Sequence, residues 1–90
     1  MFRSKKYLAY IKSKPCLICG STATEPHHEP LGKAGMGIKA PDSHAVPLCH
    51  EHHVLRHSRG MSIYPAYIDI PMCIISLLTS YLDATDSRAR

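Results

Sequence analysis

The sequence predicts a small α+β domain in which a two-stranded ribbon and one helix enclose metal ions, with a further helix at each end. Size is the first observation behind this: 90 residues suffice for one domain, since chains usually divide only beyond about 250 residues. One Phe, no Trp and seven Pro leave little for a hydrophobic core, so the fold needs other support. The second observation is where that support lies. All seven His fall between His27 and His57, and three of the four Cys flank or enter the same stretch. The third is periodicity, which changes from helical to extended and back to helical along the chain.

Taken in order, residues 1–14 predict a basic helix. Ser4 can cap it, and Tyr7, Leu8, Tyr10 and Ile11 form an apolar stripe at helical spacing. Pro15 is expected to end it. Cys16-Leu17-Ile18-Cys19-Gly20 has the form of a zinc knuckle, its glycine allowing the tight turn that aims both sulfurs at one ion. A short strand is expected over 24–29, bounded by Pro26 and Pro30, and a loop over 31–43 carries Gly32, Gly35, Gly37, Lys33 and Lys39. A second strand over 45–48 leads into a helix over 49–59 that stops at Gly60. Pro71 suits the first turn of a last helix over 71–82, in which Met72, Ile75, Leu78, Tyr81 and Leu82 supply core and Cys73 is a buried structural thiol. Residues 83–90 are expected to fray. The whole chain, 1–90, is one domain whose working part is 16–60.

Composition restricts function. The apolar run at Ile74, Ile75, Leu77 and Leu78 is shorter than the roughly 18 residues of a membrane span, and Met1 to Lys6 lead into no signal-peptide core. The expectation is a cytoplasmic protein without membrane contact, whose thiols stay reduced and ligate metal. Eleven Lys+Arg against seven Asp+Glu give a net charge of +4. Arg3, Lys5, Lys6, Lys12 and Lys14 lie in the first 14 residues with no acid among them. That asymmetry favours a polyanionic partner, the plainer alternative being a solvated basic helix.

Helical geometry sorts the ligand-rich stretch from Cys49 to His57. At about 100° per residue, with Cys49 at zero, His52 points near −60°, His53 near +40° and His57 near +80°. Cys49 and His52 thus share one face and His53 and His57 another, roughly 90° away. The first pair completes a Cys₃His set with Cys16 and Cys19, of the kind that holds structural zinc. The second pair needs a third imidazole, which His27 or His28 can supply, leaving one of them free as a general base. Three ligands with open positions are a catalytic pattern. Adjacent strand residues face opposite ways, so a twist or bulge at Pro26 or Pro30 has to bring both histidines to one site. Thiols without metal, and a second metal site of purely structural purpose, are the alternatives at this point.

These residues resemble the HNH endonucleases, whose ββα-metal (His-Me finger) core is a two-stranded ribbon followed by a helix with a catalytic ion between them. The resemblance spans Cys16 to His57 and rests on two segments. One is Cys16-x-x-Cys19 followed by Glu25-Pro26-His27-His28; the other is His44-Ala45-Val46-Pro47-Leu48-Cys49-x-x-His52-His53-x-x-x-His57. His44 stands where the family commonly has Asn, and His52 where zinc-knuckle members commonly have a second Cys. The order His-His, Asn, His-x₃-His of nuclease colicins is similar and implies His27, His53 and His57 as catalytic-metal ligands and His28 as general base. It leaves His44 to position the base or the ribbon loop, or to join the metal. The segment Gly35-Met36-Gly37-x-Lys39-x-x-Asp42 is similar to small phage and prophage HNH proteins, including recombination-associated nucleases, which implies a phage or recombination protein as partner.

The resemblance implies metal-dependent hydrolysis of DNA to 3′-OH and 5′-phosphate ends. Three imidazoles favour Zn²⁺, Ni²⁺, Co²⁺ or Mn²⁺ over Mg²⁺ as the catalytic divalent metal, unless Asp42 or substrate oxygens adjust the set. Structural Zn²⁺ is expected at the Cys₃His site. Lys33, Lys39, Arg56 and Arg59 are candidate phosphate contacts, and His50 is expected to be a solvated surface residue. A nucleic-acid-binding module without catalysis, and a nuclease directed at RNA, are the competing readings.

Overall fold

The computed structural model describes residues 2–30 and 40–85. Its elements run α1 (Lys5–Lys12), β1 (Thr24–His28), β2 (Ala45–Cys49), α2 (His50–Arg59) and α3 (Ile70–Thr85), with 3₁₀ turns at Asp42–His44 and Gly60–Ile63. This is a small α+β protein, with one two-stranded sheet among the described residues. No helix among the described residues is long and apolar enough to cross a membrane.

Ser4 caps α1, its Oγ accepting from the Tyr7 N–H at 3.0 Å. The helix ends at Lys12, before Pro15 is reached, because Ser13 and Lys14 turn back onto the carbonyls of Tyr10 and Ile11. The knuckle follows. Gly20 donates to the Cys16 carbonyl at 2.9 Å and adopts a φ of 77°, a left-handed conformation that glycine enters without strain. Leu17 N–H bonds the Pro47 carbonyl at 3.1 Å and ties the knuckle to the sheet.

β1 and β2 are antiparallel, with Thr24 opposite Cys49, Pro26 opposite Pro47, His27 opposite Val46 and His28 opposite Ala45. Neither proline can donate, so their pairing belongs at a position where the ladder asks for no N–H. The register runs through without a bulge, and the faces alternate strictly. Glu25, His27 and Glu29 turn toward α2, where each meets a side chain of that helix. Thr24 and His28 turn toward α1: Thr24 Oγ1 donates to the Lys12 and Lys14 carbonyls, and His28 meets the Asp42 carboxylate that holds the Ser4 N–H.

Core residues lie on both faces of the ribbon, because Val46 and Leu48 oppose His27 and Glu25 and share their face, while Ala45 opposes His28 and shares its face. Val46 and Leu48 of β2 pack with Cys16, Ile70 and Ile74, while Ala45 packs with Tyr7 and Ile11 of α1. Leu77 and Leu78 of α3 touch both groups. Pro71 occupies the first turn of α3 as expected, but the helix begins one residue earlier, where Asp69 Oδ1 accepts from the Met72 N–H. It continues to Thr85, so residues 83–85 are helical rather than frayed, the Thr85 hydroxyl bonding the Tyr81 carbonyl; the rest of the tail lies outside the described residues. Cys73 is half-buried, and burial followed by the Asp69 charge pushes its thiol pKa up.

α2 ends at Gly60, whose φ of 71° and N–H bond to the Arg56 carbonyl close the helix. Its attachment to β1 is polar. Arg56 Nε and Nη2 donate to Glu29 at 3.0 and 2.8 Å, and Tyr64 O–H also donates to Glu29. Arg56, expected to contact phosphate, instead directs its half-buried guanidinium at the buried Glu29 carboxylate. Burial pushes the Glu29 carboxyl up, but His27, Arg56 and Tyr64 outweigh it and hold it at about 2.

Removing one member of such a pair strands the other charge, at a cost of about 3–5 kcal/mol. Glu29→Gln should lower unfolding free energy by about that much in urea at neutral pH, and adding Arg56→Met should recover part of the loss. The folded-state pKa lies below the ordinary 4.5. Hence the gap between wild type and Glu29→Gln should be full above that value and narrow as pH falls toward 2. A gap that is small at neutral pH would contradict the pair's role.

Candidate metal centres

Among the described residues two ligand groups form, and α2 contributes to both. In the first, Cys16, Cys19, Cys49 and His52 place their ligand atoms within 4.8 Å of one another. Cys19 Sγ lies 3.8 Å from Cys49 Sγ, and His52 Nδ1 lies 3.2 Å from Cys49 Sγ and 3.6 Å from Cys16 Sγ. A tetrahedral zinc with ordinary Zn–S and Zn–N lengths sets its ligand atoms about 3.3–3.8 Å apart. The donor types and separations fit, so this cluster could bind a metal ion such as zinc.

One thiol is already prepared for ligation. Burial opposes ionisation of Cys16, but the backbone N–H groups of Cys49, Cys19 and Ile18, with His52, bring its pKa down to about 6. Cys49 moves the other way. The His52 backbone N–H favours its thiolate, yet burial and the crowding of Cys19 and Cys16 push it up. Three sulfurs this close cannot all ionise without a cation among them.

The second group is His27, His53 and His57, again within 4.8 Å. Their ring centroids form a nearly equilateral triangle of 5.0, 5.1 and 4.9 Å. His53 Nε2 and His57 Nε2 approach to 3.2 Å, close to the separation of two nitrogens on one tetrahedral ion. Among the described residues His27 Nε2 is buried without a hydrogen bond, although Glu29 Oε2 is 3.3 Å away. An orphaned buried nitrogen beside two converging imidazoles is what a ligand set looks like. Burial, followed by the charges of His27 and His53, pushes the His57 pKa down and favours the neutral ring that ligates.

A carboxylate backs this triangle. Glu25 Oε1 is 2.6 Å from His53 Nδ1, which leaves Nε2 to face the other two rings, and Oε2 reaches His50 Nδ1 at 3.1 Å. His53 and then His50 draw the Glu25 pKa down. His50 is exposed, as expected, but has this partner.

The other expected site residues lie elsewhere. His28 belongs to neither group; the bulge that was to bring it beside His27 is absent, and it stands on the opposite ribbon face. Asp42, considered as an adjunct to the metal, is on that face too, binding His28, Ser4 and Arg3. His44 sits in the 3₁₀ turn with Nδ1 buried and without a hydrogen-bond partner among the described residues, outside both groups. Arg59 is exposed at the end of α2. Lys33 and Lys39 lie outside the described residues. Glu25 and Glu29 were missed by sequence reasoning; the signal was present, because they flank His27 at i−2 and i+2 and so share its strand face.

The fold and these two clusters define a small α+β protein with the ligands for metal ions. Residues 1–67 match the family described as "Protein of unknown function (DUF968)", and the chain belongs to that family. It is 39% identical over 64 residues to "Uncharacterized protein YdfU" of Escherichia coli (strain K12), over 70% of this chain and 18% of that protein. The chain thus spans less than a fifth of that relative's length. No solved structure matches it.

If the Cys₃His set holds zinc, the ion contributes folding energy directly. Cys49→Ser should give unfolded or aggregated protein, and a strong chelator should cause cooperative loss of far-UV circular dichroism. His53→Ala, which touches only the other group, should keep its zinc and its spectrum. Folded protein free of zinc by elemental analysis would contradict this.

Proposed function

We propose that this chain is a metal-dependent HNH-type endonuclease that hydrolyses DNA phosphodiester bonds on a ββα-metal core. The observation that carries the reading is the convergence of His27, His53 and His57 between ribbon and helix, apart from the Cys₃His cluster. Three nitrogen ligands leave coordination positions open, as a catalytic site requires and a structural one does not. The segments that resemble HNH enzymes place their metal ligands at these same three positions.

A divalent ion bound there supplies electrostatic stabilisation of the charge that develops on the phosphate and on the departing 3′ oxygen. The chain's own groups do the rest. His28 accepts the proton of the attacking water, whose oxygen bonds to phosphorus as the P–O3′ bond breaks. The departing 3′ oxygen takes a proton from solvent, so the products are a 5′-phosphate and a 3′-hydroxyl. Arg59, Lys33, Lys39 and the basic residues of α1 contact backbone phosphates, giving binding with little sequence preference.

A second reading has its own support. Regular alternation sets His28 on the ribbon face opposite the three imidazoles, which favours a nucleic-acid-binding module that does not cleave.

Purified protein, plasmid DNA and a series of divalent metals against chelator separate the two. The nuclease reading expects metal-dependent cleavage. His28→Ala should keep both ligand groups and DNA affinity while losing about 10²–10⁴ in rate. His53→Ala should lose activity together with metal affinity, and excess metal should restore part of it. Cleavage by His28→Ala at the wild-type rate overturns the base assignment; no cleavage by wild type in any metal leaves the binding module. DNA affinity should fall steeply with salt, and replacing Lys33 and Lys39 by Ala should reduce the slope by roughly 1–2.

A further inference from the structure

We propose that Asp42 is a positioning residue for His28, holding its ring in the tautomer that carries hydrogen on Nε2 and a free lone pair on Nδ1. The proposal deepens the nuclease reading and rests on it for its catalytic consequence, though not for its geometry.

His28 Nε2 lies 2.8 Å from Asp42 Oδ1. An ionised carboxylate can only accept hydrogen bonds, so the nitrogen facing it must carry the proton. In a neutral imidazole this makes Nδ1 the acceptor, the only atom left that can take a proton from water. The tautomer of His28 is therefore decided by Asp42.

The carboxylate is itself fixed. Asp42 is buried, its Oδ2 accepts from the Ser4 backbone N–H at 2.7 Å, and its Oδ1 also accepts from Arg3 Nη1 at 3.1 Å. Its own N–H donates to the Phe2 carbonyl at 2.9 Å. Burial opposes its ionisation, but Ser4, His28 and Arg3 prevail and keep its pKa low. Both oxygens are thus tied to the start of α1, so the helix that covers this ribbon face also sets the orientation of the His28 ring. Once His28 takes a proton, the same carboxylate faces an imidazolium and stabilises it.

A competing account is that Asp42 only anchors α1. The two differ in measurable ways. In metal-loaded wild type labelled with ¹⁵N, long-range ¹H–¹⁵N correlations of the imidazoles, with His28 assigned by its loss in His28→Gln, should show Nε2 protonated and Nδ1 bare. Asp42→Asn should disturb that pattern and lower kcat by about 10²-fold or more. KM for DNA and the metal content should stay at their wild-type values.

A wild-type ring protonated on Nδ1 overturns the proposal and needs no variant that has to fold. So does Asp42→Asn that loses thermal stability yet keeps kcat, the outcome expected of an anchor alone. Failure of the nuclease reading is distinguishable, because wild type would then cleave nothing while the tautomer spectrum still decides the Asp42–His28 pairing.

Discussion

Helix α2 buries none of its residues completely, and that constraint governs the ligand-rich half of the molecule. A helix of ten residues that exposes Val54 and has a weakly apolar face cannot be held by hydrophobic contact. It is held by polar side chains that β1 presents at every second residue. Glu25 takes His53, His27 stacks edge-on against His53 and His57, and Glu29 takes Arg56. At its N-terminal end, Cys49 and His52 reach the knuckle through the Cys₃His set. The geometry of both metal groups is thus also the geometry that attaches the helix, so ligand position and fold stability are coupled here.

The ribbon separates two electrostatic environments. Its α2 face carries two carboxylates beside four histidines and an arginine, and its α1 face carries the Asp42 carboxylate beside His28 and Arg3. Three of the chain's seven acids are committed in this way. What they neutralise is local, so the excess positive charge of α1 is left to act outward. The core, by contrast, belongs almost wholly to β2 and to the apolar sides of α1 and α3. A thin core suffices because polar contacts from β1 fasten α2 beside it.

Much of this was legible in the sequence where spacing alone decides geometry. Cys16-x-x-Cys19, Cys49-x-x-His52 and His53-x-x-x-His57 are each separated by a local turn or one helical turn, and the two groups assemble as the spacing implies. The end of α2 at Gly60 follows for the same reason. What was not legible depends on long-range contact. Arg56 reads as a surface cation until Glu29 is known to lie opposite it, and Asp42 reads as a loop residue until Ser4 is known to be its neighbour. His28 was placed beside His27 by adjacency in sequence, and period-2 alternation in an unbulged strand set it on the other face. The same alternation would have identified Glu25 and Glu29, had it been applied outward from His27.

The central claim is that α2 divides its ligands between two distinct metal sites, one sulfur-rich and one of imidazole alone. Stepwise addition of cobalt(II) to metal-free protein tests it most directly, because thiolate ligation gives strong near-ultraviolet charge-transfer absorption that imidazole does not. The account predicts that the first equivalent brings the full thiolate absorption with tetrahedral visible bands, and that a second equivalent adds visible absorption with no further thiolate signal. Saturation at one equivalent, or thiolate absorption that keeps growing through the second, would contradict it.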